Sequence, residues 1–369
     1  MEAKERLYSL DLLRGLDMML LTVIGPIFRA AGNLWHFPKG VMAQFDHPWG
    51  GFTLWDIIMP LFIFMCGAAV PFALGRRLDA EGRPTAAFWK HVLWRFAMLW
   101  VLGMCVQGDL LTLDPLKISP YCNTLQTIAA GYLVTALVML APSKAFRIAA
   151  PIAMLAAYGL VVHFGGDYTK EGNVTWIVEK KILSCILPAE SMRFQVRGGY
   201  TWFLPTLVFG AITLAGYHAT EILRSGRTQK AKAAILFAYG AASLAIGWAL
   251  VPMGVPMIKQ FFTVSFTLQA IGWSVLALAV LYVLTDILKW RRGLSPVILF
   301  GQFALTAYLL HTLFAGALIA FAGTFVQGAP RLFGKAAQPL VLAIAEGAVV
   351  YAALLVRRHL KSRSPSCAS

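Results

Sequence analysis

"FDHPWGGFTLWDIIMPLFIFMCG", residues 45–67, decides how this chain is read. From Ile57 onward no charged residue appears until Arg76, an apolar run of 19 residues. About 20 such residues are what a helix needs to cross the hydrocarbon core of a bilayer. The run is preceded by a polar, glycine-rich turn holding Asp46, His47, Pro48, Trp49, Gly50 and Gly51. A histidine therefore sits at the mouth of a membrane helix. Thr53 and Asp56 have the T-x-x-D spacing of a capping box, in which both side chains satisfy free N–H groups at a helix start. A carboxylate there is also favoured by the helix dipole. Capping explains Asp56 by itself, and orienting the neighbouring histidine is a second, compatible role.

The rest of the chain repeats the apolar theme. Of 369 residues, 59% are hydrophobic and 13% charged, and mean hydropathy is +0.68, whereas soluble domains carry roughly 25% charged residues. The expected fold is an all-α polytopic membrane bundle of about ten transmembrane helices. They fall near residues 10–32, 53–75, 87–107, 119–141, 146–164, 199–223, 232–252, 262–288, 295–326 and 338–356. One transmembrane domain over residues 1–360 and a disordered cytoplasmic tail over 361–369 complete the expected organisation. The opening "MEAKERLYSLDLLRG" lacks the features of a cleaved signal peptide, so the first hydrophobic segment is expected to remain.

Net charge is +15, but the Lys and Arg residues gather in alternate short loops rather than in one stripe. That distribution argues for membrane topology and against nucleic acid. The basic loops include "RRLDAEGR", "PSKAFR", "RSGRTQK", "KWRR" and "RRHLKSR", and the positive-inside rule places them, with both termini, in the cytoplasm. His47 and the long loop from Gly165 to Gly198 then face outward. The five cysteines form no CxxC pair, so neither a disulfide framework nor a metal site is expected. No histidine pair has zinc-ligand spacing.

Charges inside apolar segments need a reason, because each costs about 2.5–3.5 kcal/mol at a helix centre. Asp11, Arg14 and Asp17 recur at a spacing of three, placing the arginine beside both carboxylates. They read either as a self-neutralised anchor or as the lining of a polar cavity. His218 and His311 read as partners of backbone carbonyls within the bundle.

"SLDLLRGLDM" followed by "FDHPWGGFTLWDIIMPLFIFMCGAAVPFAL" closely resembles the heparan-alpha-glucosaminide N-acetyltransferase family, particularly its bacterial members. The matching residues are Asp11, Arg14, Gly15, His47, Trp49, Gly51, Thr53, Asp56, Pro60, Phe62, Phe64 and Gly67. Weaker similarity continues through "NTLQTIAAGYL", "YTWFLPTLVFGAITLAGYHATEIL", "PMIKQFFTVSFTL" and "GQFALTAYLLH", so most of the chain is covered. The resemblance implies an enzyme of the bacterial inner membrane that takes an acyl group, typically acetyl, from cytoplasmic acyl-CoA and delivers it to an amine or hydroxyl of an extracytoplasmic sugar or glycan. Acetyl-CoA is then a donor substrate, with no metal required, the bilayer is the surrounding medium, and a homodimer is left open.

Within this resemblance His47 is the catalytic histidine, acting as general base or as acyl carrier, and Asp56 its partner. Asp11, Arg14, Trp49, Gly51, Asn123, Gln126 and Lys259 are the candidate substrate-binding residues, Lys259 for an acidic acceptor. Arg14, Lys90 and Arg95 are candidates for the phosphate end of the donor. Three positions depart from the family pattern. Thr127 follows Gln126 where the family has Arg, Phe303 replaces an Asn, and the Asn late in the first span of lysosomal relatives is not evident. A sugar transporter or flippase, or a catalytically inactive family member, is the alternative reading.

Overall fold

A computed structural model describes residues 7–79, 82–194 and 199–363. Among these residues the chain is helical, without a strand, the one extended pairing being an isolated bridge between Leu78 and Pro84. In chain order the first helices are α1 (Tyr8–Met19), α2 (Gly25–Leu34), α3 (Lys39–Met42) and α4 (Ile58–Ala73). Next come α5 (Ala86–Gln107), α6 (Thr124–Met139), α7 (Lys144–Gly165), α8 (Val174–Leu183) and α9 (Thr206–Arg224). The remainder are α10 (Gln229–Leu250), α11 (Val264–Tyr282), α12 (Ser295–Gln302), α13 (Ala304–Thr312), α14 (Ala315–Phe325), α15 (Ala329–Phe333) and α16 (Gln338–Arg363).

Among the described residues six helical stretches are long and apolar enough to cross a membrane, and seven if α13 and α14 count as one bent span. That pattern is the one an integral, multi-pass membrane protein shows. The expected continuous helix over 295–326 is instead three pieces, with α13 and α14 bent by 83° at their junction. Phe303 and Phe314 leave helical geometry at the breaks, with φ/ψ of −119°/32° and −103°/19°. Both breaks lie in a stretch without Asp, Glu, Lys or Arg, with Gln302 at the first and His311 and Thr312 just before the second, and hydropathy reads it as one segment. Residues 361–363 close α16, and the rest of the expected tail lies outside the described residues.

The chain forms two compact units, Met1–Asp46 with Val280–Ser369, and His47–Ala279. In the first, α1 packs on α12 through two glycines. A methyl on Gly15 would collide with the Val297 carbonyl, and one on Gly301 with the Asp11 carbonyl. The first expected span runs from α1 into α2 without a break, through a π-helical turn at Leu20–Ile24. Asp286 caps the start of α1, accepting the N–H of Tyr8 (3.2 Å) and of Ser9 (3.0 Å).

In the second unit α4 and α9 make the same kind of approach. A methyl on Gly67 would strike the Thr213 carbonyl, and one on Gly216 the Phe64 carbonyl. Small residues at a helix crossing let backbones meet where apolar burial alone provides little attraction in lipid. Hydroxyls reinforce the seam: Thr220 donates to the Ala68 carbonyl (2.9 Å), and Thr135 to Thr213 (2.8 Å), which itself donates to the Gly131 carbonyl (2.9 Å). The α4 helix is thereby held as a fixed strut, and its N-terminal mouth carries the candidate site.

Candidate functional site

The site starts with a capping box. Thr53 has extended backbone and precedes a tight 3-10 turn, Leu54–Ile57, that leads into α4. Both arms of the box are formed. Asp56 Oδ2 accepts the backbone N–H of Thr53 at 3.0 Å and its hydroxyl at 2.9 Å. One carboxylate oxygen is thus consumed by the helix start, and the other, Oδ1, is aimed at the loop before it.

Oδ1 lies 2.7 Å from His47 Nδ1 and 3.1 Å from Lys259 Nζ. Asp56 is 1% exposed and Lys259 5%, whereas the His47 ring is 39% exposed. A carboxylate only accepts, so in this bond Nδ1 carries the proton, and in the neutral form of the ring Nε2 holds the lone pair. Lys259 Nζ is also 3.2 Å from His47 Nδ1. The three side chains share a single oxygen, with the cation buried and the imidazole at the surface.

Lys259 is held by a strained turn. Phe262, fully buried, has φ +52°, a region that bulky side chains rarely adopt. The turn is pinned by the Phe262 N–H to the Lys259 carbonyl (3.1 Å), the Thr263 N–H to the Ile258 carbonyl (3.1 Å) and the Ile258 N–H to the Thr263 hydroxyl (3.0 Å). The histidine loop is tied to it by Gly51, whose N–H donates to the Met257 carbonyl at 2.9 Å with φ +106°. Such strain persists where the surroundings over-determine it, and it clusters at functional sites. Burial pulls the Lys259 amine down to about 8, against the opposing pull of Asp56.

Trp49 stands beside this triad in an aromatic group. Its ring is 6.0 Å from Phe261, its indole N–H donates to the Tyr168 carbonyl at 3.3 Å, and Lys170 Nζ lies 5.3 Å above it. Tyr168 stacks on Phe261 in turn, at 6.4 Å.

The other candidates fall elsewhere. Asn123 caps α6 through the Leu125 N–H (2.6 Å), and its buried amide nitrogen has no hydrogen-bond partner. Gln126 is buried and committed, donating to the Pro120 carbonyl (2.6 Å) and accepting from the Cys122 N–H (2.9 Å). Asp11 and Arg14 belong to the other unit, 3.7 Å apart. Asp17 does not join them: it is buried with neither oxygen hydrogen-bonded, so the expected three-residue cluster is a pair and a separate acid. Arg95 lies 4.7 Å over the Tyr132 ring and 3.8 Å from Cys66 Sγ, while Lys90 lines a cavity at the far end of α4. His218 meets the Arg147 carbonyl at 3.0 Å, the structural role its position suggested. Cys66, Cys105, Cys122 and Cys185 are free thiols.

Sequence reasoning missed a second buried ion pair in the long loop. Glu179, on α8, accepts Arg193 Nη2 at 3.2 Å and the N–H groups of Trp202 (2.9 Å) and Phe203 (3.1 Å). Arg193 also donates to the Tyr200 carbonyl at 2.9 Å. Burial pushes the Glu179 carboxyl up despite these donors. The signal available in the sequence was the single carboxylate of "VTWIVEKKIL", directly after the largely apolar run Val174–Val178. Among the described residues no group of three or more His, Cys, Asp or Glu side chains is placed to hold a metal ion. Comparison with known families found no matching family model, and comparison with curated proteins found no significant relative.

Proposed function

We propose that this chain is a membrane acyltransferase that moves an acyl group, acetyl in the simplest case, from cytoplasmic acyl-CoA to an amine or hydroxyl of an extracytoplasmic sugar or glycan. In this reading the bundle has ten spans, both termini are cytoplasmic, and the membrane is the inner membrane of a bacterium. The single observation that carries the reading is the His47–Asp56–Lys259 arrangement at the mouth of α4, a half-exposed imidazole whose Nδ1 is fixed by a buried carboxylate. The resemblance of residues 9–18 and 45–74 to the transferase family supplies the reaction class.

His47 Nε2 removes the proton from the acceptor as its nitrogen or oxygen attacks the thioester carbonyl. The C–S bond then breaks and the CoA sulfur leaves, taking a proton as thiol. A positioned general base of this kind contributes roughly 10²–10⁴ in rate. The same Nε2 supports the alternative order, in which it attacks first and an acyl-imidazole passes the group on. Asp56 holds the ring and balances the charge that develops on it. Trp49, with Phe261 and Tyr168, offers an aromatic face against which an acceptor sugar ring packs.

Thiol release from acetyl-CoA by purified protein, with glucosamine and a panel of envelope amino sugars, tests the reading. Acceptor-dependent release that disappears in His47→Ala supports it. Near-wild-type release in His47→Ala sinks the assigned role, and movement of labelled sugar without consumption of acyl-CoA would make the protein a transporter.

A further inference from the structure

A second site lies at the other end of α4. Arg77 follows Asp56 by 21 residues, which at 1.5 Å per residue is about 30 Å along the helix. There a cavity of about 790 Å³ is lined by Arg77, by Lys90 and His91 from the first turns of α5, and by Leu93, Trp94 and Ala97. Its back is fixed, because Leu74, Phe88 and Val92 are fully buried in one core cluster beneath it.

The chemistry of the lining is one-sided. Three basic side chains face one space, and no acid lines it among the described residues. Arg77 uses one guanidinium nitrogen on the Ala73 carbonyl, and neither Arg77 nor Lys90 has an ion-pair partner among the described residues. His91 Nε2 is buried without a hydrogen-bond partner. Asp79, the nearest described acid in sequence, is exposed and accepts the Arg83 N–H at 2.6 Å. Gathered cations with an unsatisfied ring nitrogen call for an anion with several acceptor oxygens.

The remaining wall says what the anion is attached to. Leu93 is 56% exposed and Trp94 70% exposed, so the cavity opens sideways onto an apolar flank. Tryptophan beside Lys and Arg at the end of a span is the composition of the membrane–water interface, where basic side chains attract anionic lipid headgroups. We propose that this cavity binds the phosphate of an anionic phospholipid, with Arg77, Lys90 and His91 on the headgroup and Leu93 and Trp94 along the chains. The site is separate from His47 and stands whether or not the protein transfers acyl groups.

The test uses full-length protein in nanodiscs of mixed phosphatidylglycerol and phosphatidylcholine, with retained lipids counted by native mass spectrometry. Wild type should retain phosphatidylglycerol preferentially, and Arg77→Gln and Lys90→Gln should each weaken that preference about fivefold. Trp94→Ala should weaken it without any loss of charge. Lys90 and Trp94 are exposed, so those two variants carry the test even if Arg77→Gln fails to fold. Equal retention of the two lipids, or a preference untouched by Arg77→Gln/Lys90→Gln, overturns the proposal. In a parallel arm 3′,5′-ADP is the soluble phosphate: if it binds, displaces the lipid and loses affinity in the same variants, the site belongs to a nucleotide and the lipid assignment falls.

Discussion

Two buried carboxylate–cation pairs lie in the same unit of this protein, and they are built for different ends. Glu179 and Arg193 form a set closed to solvent: the carboxylate is fully buried, the guanidinium is 11% exposed with its Nε left without a partner, and the remaining oxygen accepts the Trp202 and Phe203 N–H groups. Asp56 and Lys259 are as deeply buried, but one position on Oδ1 is taken by an imidazole that reaches solvent. The closed pair fixes α8 against the stretch Tyr200–Phe203. The open one holds a ring that reaches solvent. Burial of an ion pair therefore says little about function by itself, and what distinguishes the two is the third partner.

The comparison can be broken first at His47. His47→Gln keeps a donor toward Asp56 and removes the base, so acyl-transfer turnover should fall by about 10²–10⁴ while the melting temperature barely moves, the ring being half-exposed. Arg193→Met should do the reverse. It strands a buried Glu179 and should cost about 3–5 kcal/mol of stability, read as an earlier thermal transition, with turnover per folded molecule unchanged. If Arg193→Met abolished turnover in protein that stayed folded, the closed pair would be part of the site.

A smaller effect is expected at the α4–α9 seam that supports the site. Gly67→Ala forces a methyl against the Thr213 carbonyl and should cost about 1–3 kcal/mol, as overpacking does. A neutral result in a thermal melt would mean the two helices are not held at that distance.

The smallest is a pH effect. The Lys259 amine sits at about 8 in the folded protein, below the ordinary value of about 10.4. Between those values the unfolded chain binds a proton that the folded one does not, so stability rises with pH through that window and is level below it on this account. Melting temperatures measured from pH 7 to 10 should show that rise in wild type and lose it in Asp56→Asn/Lys259→Met, which removes both charges together.

Much of the fold was legible because bilayer thickness and helix rise convert directly into the length of an apolar run, as from Ile57 to Gly75. The Thr53–Asp56 capping box was equally legible, since its partners are three residues apart and local geometry decides it. The breaks at Phe303 and Phe314 were not, because no Asp, Glu, Lys or Arg marks either one, and Gln302, His311 and Thr312 are too few to end an apolar segment by hydropathy. Asp17 parted from Arg14 for a related reason: spacing places side chains on a helix face but does not choose their partners.

By itself, then, the sequence determined an all-helical chain with long apolar helices, a histidine at the mouth of one of them, and a carboxylate capping that helix. Only the tertiary structure decided that Lys259, 212 residues from His47, is buried against Asp56, and that Glu179 and Arg193 form a pair of their own. The physical reason is range. Caps and apolar periodicity are set by neighbours within a turn or two, whereas the partner of a buried charge is chosen by which segments the packed bundle brings within about 3 Å of one another.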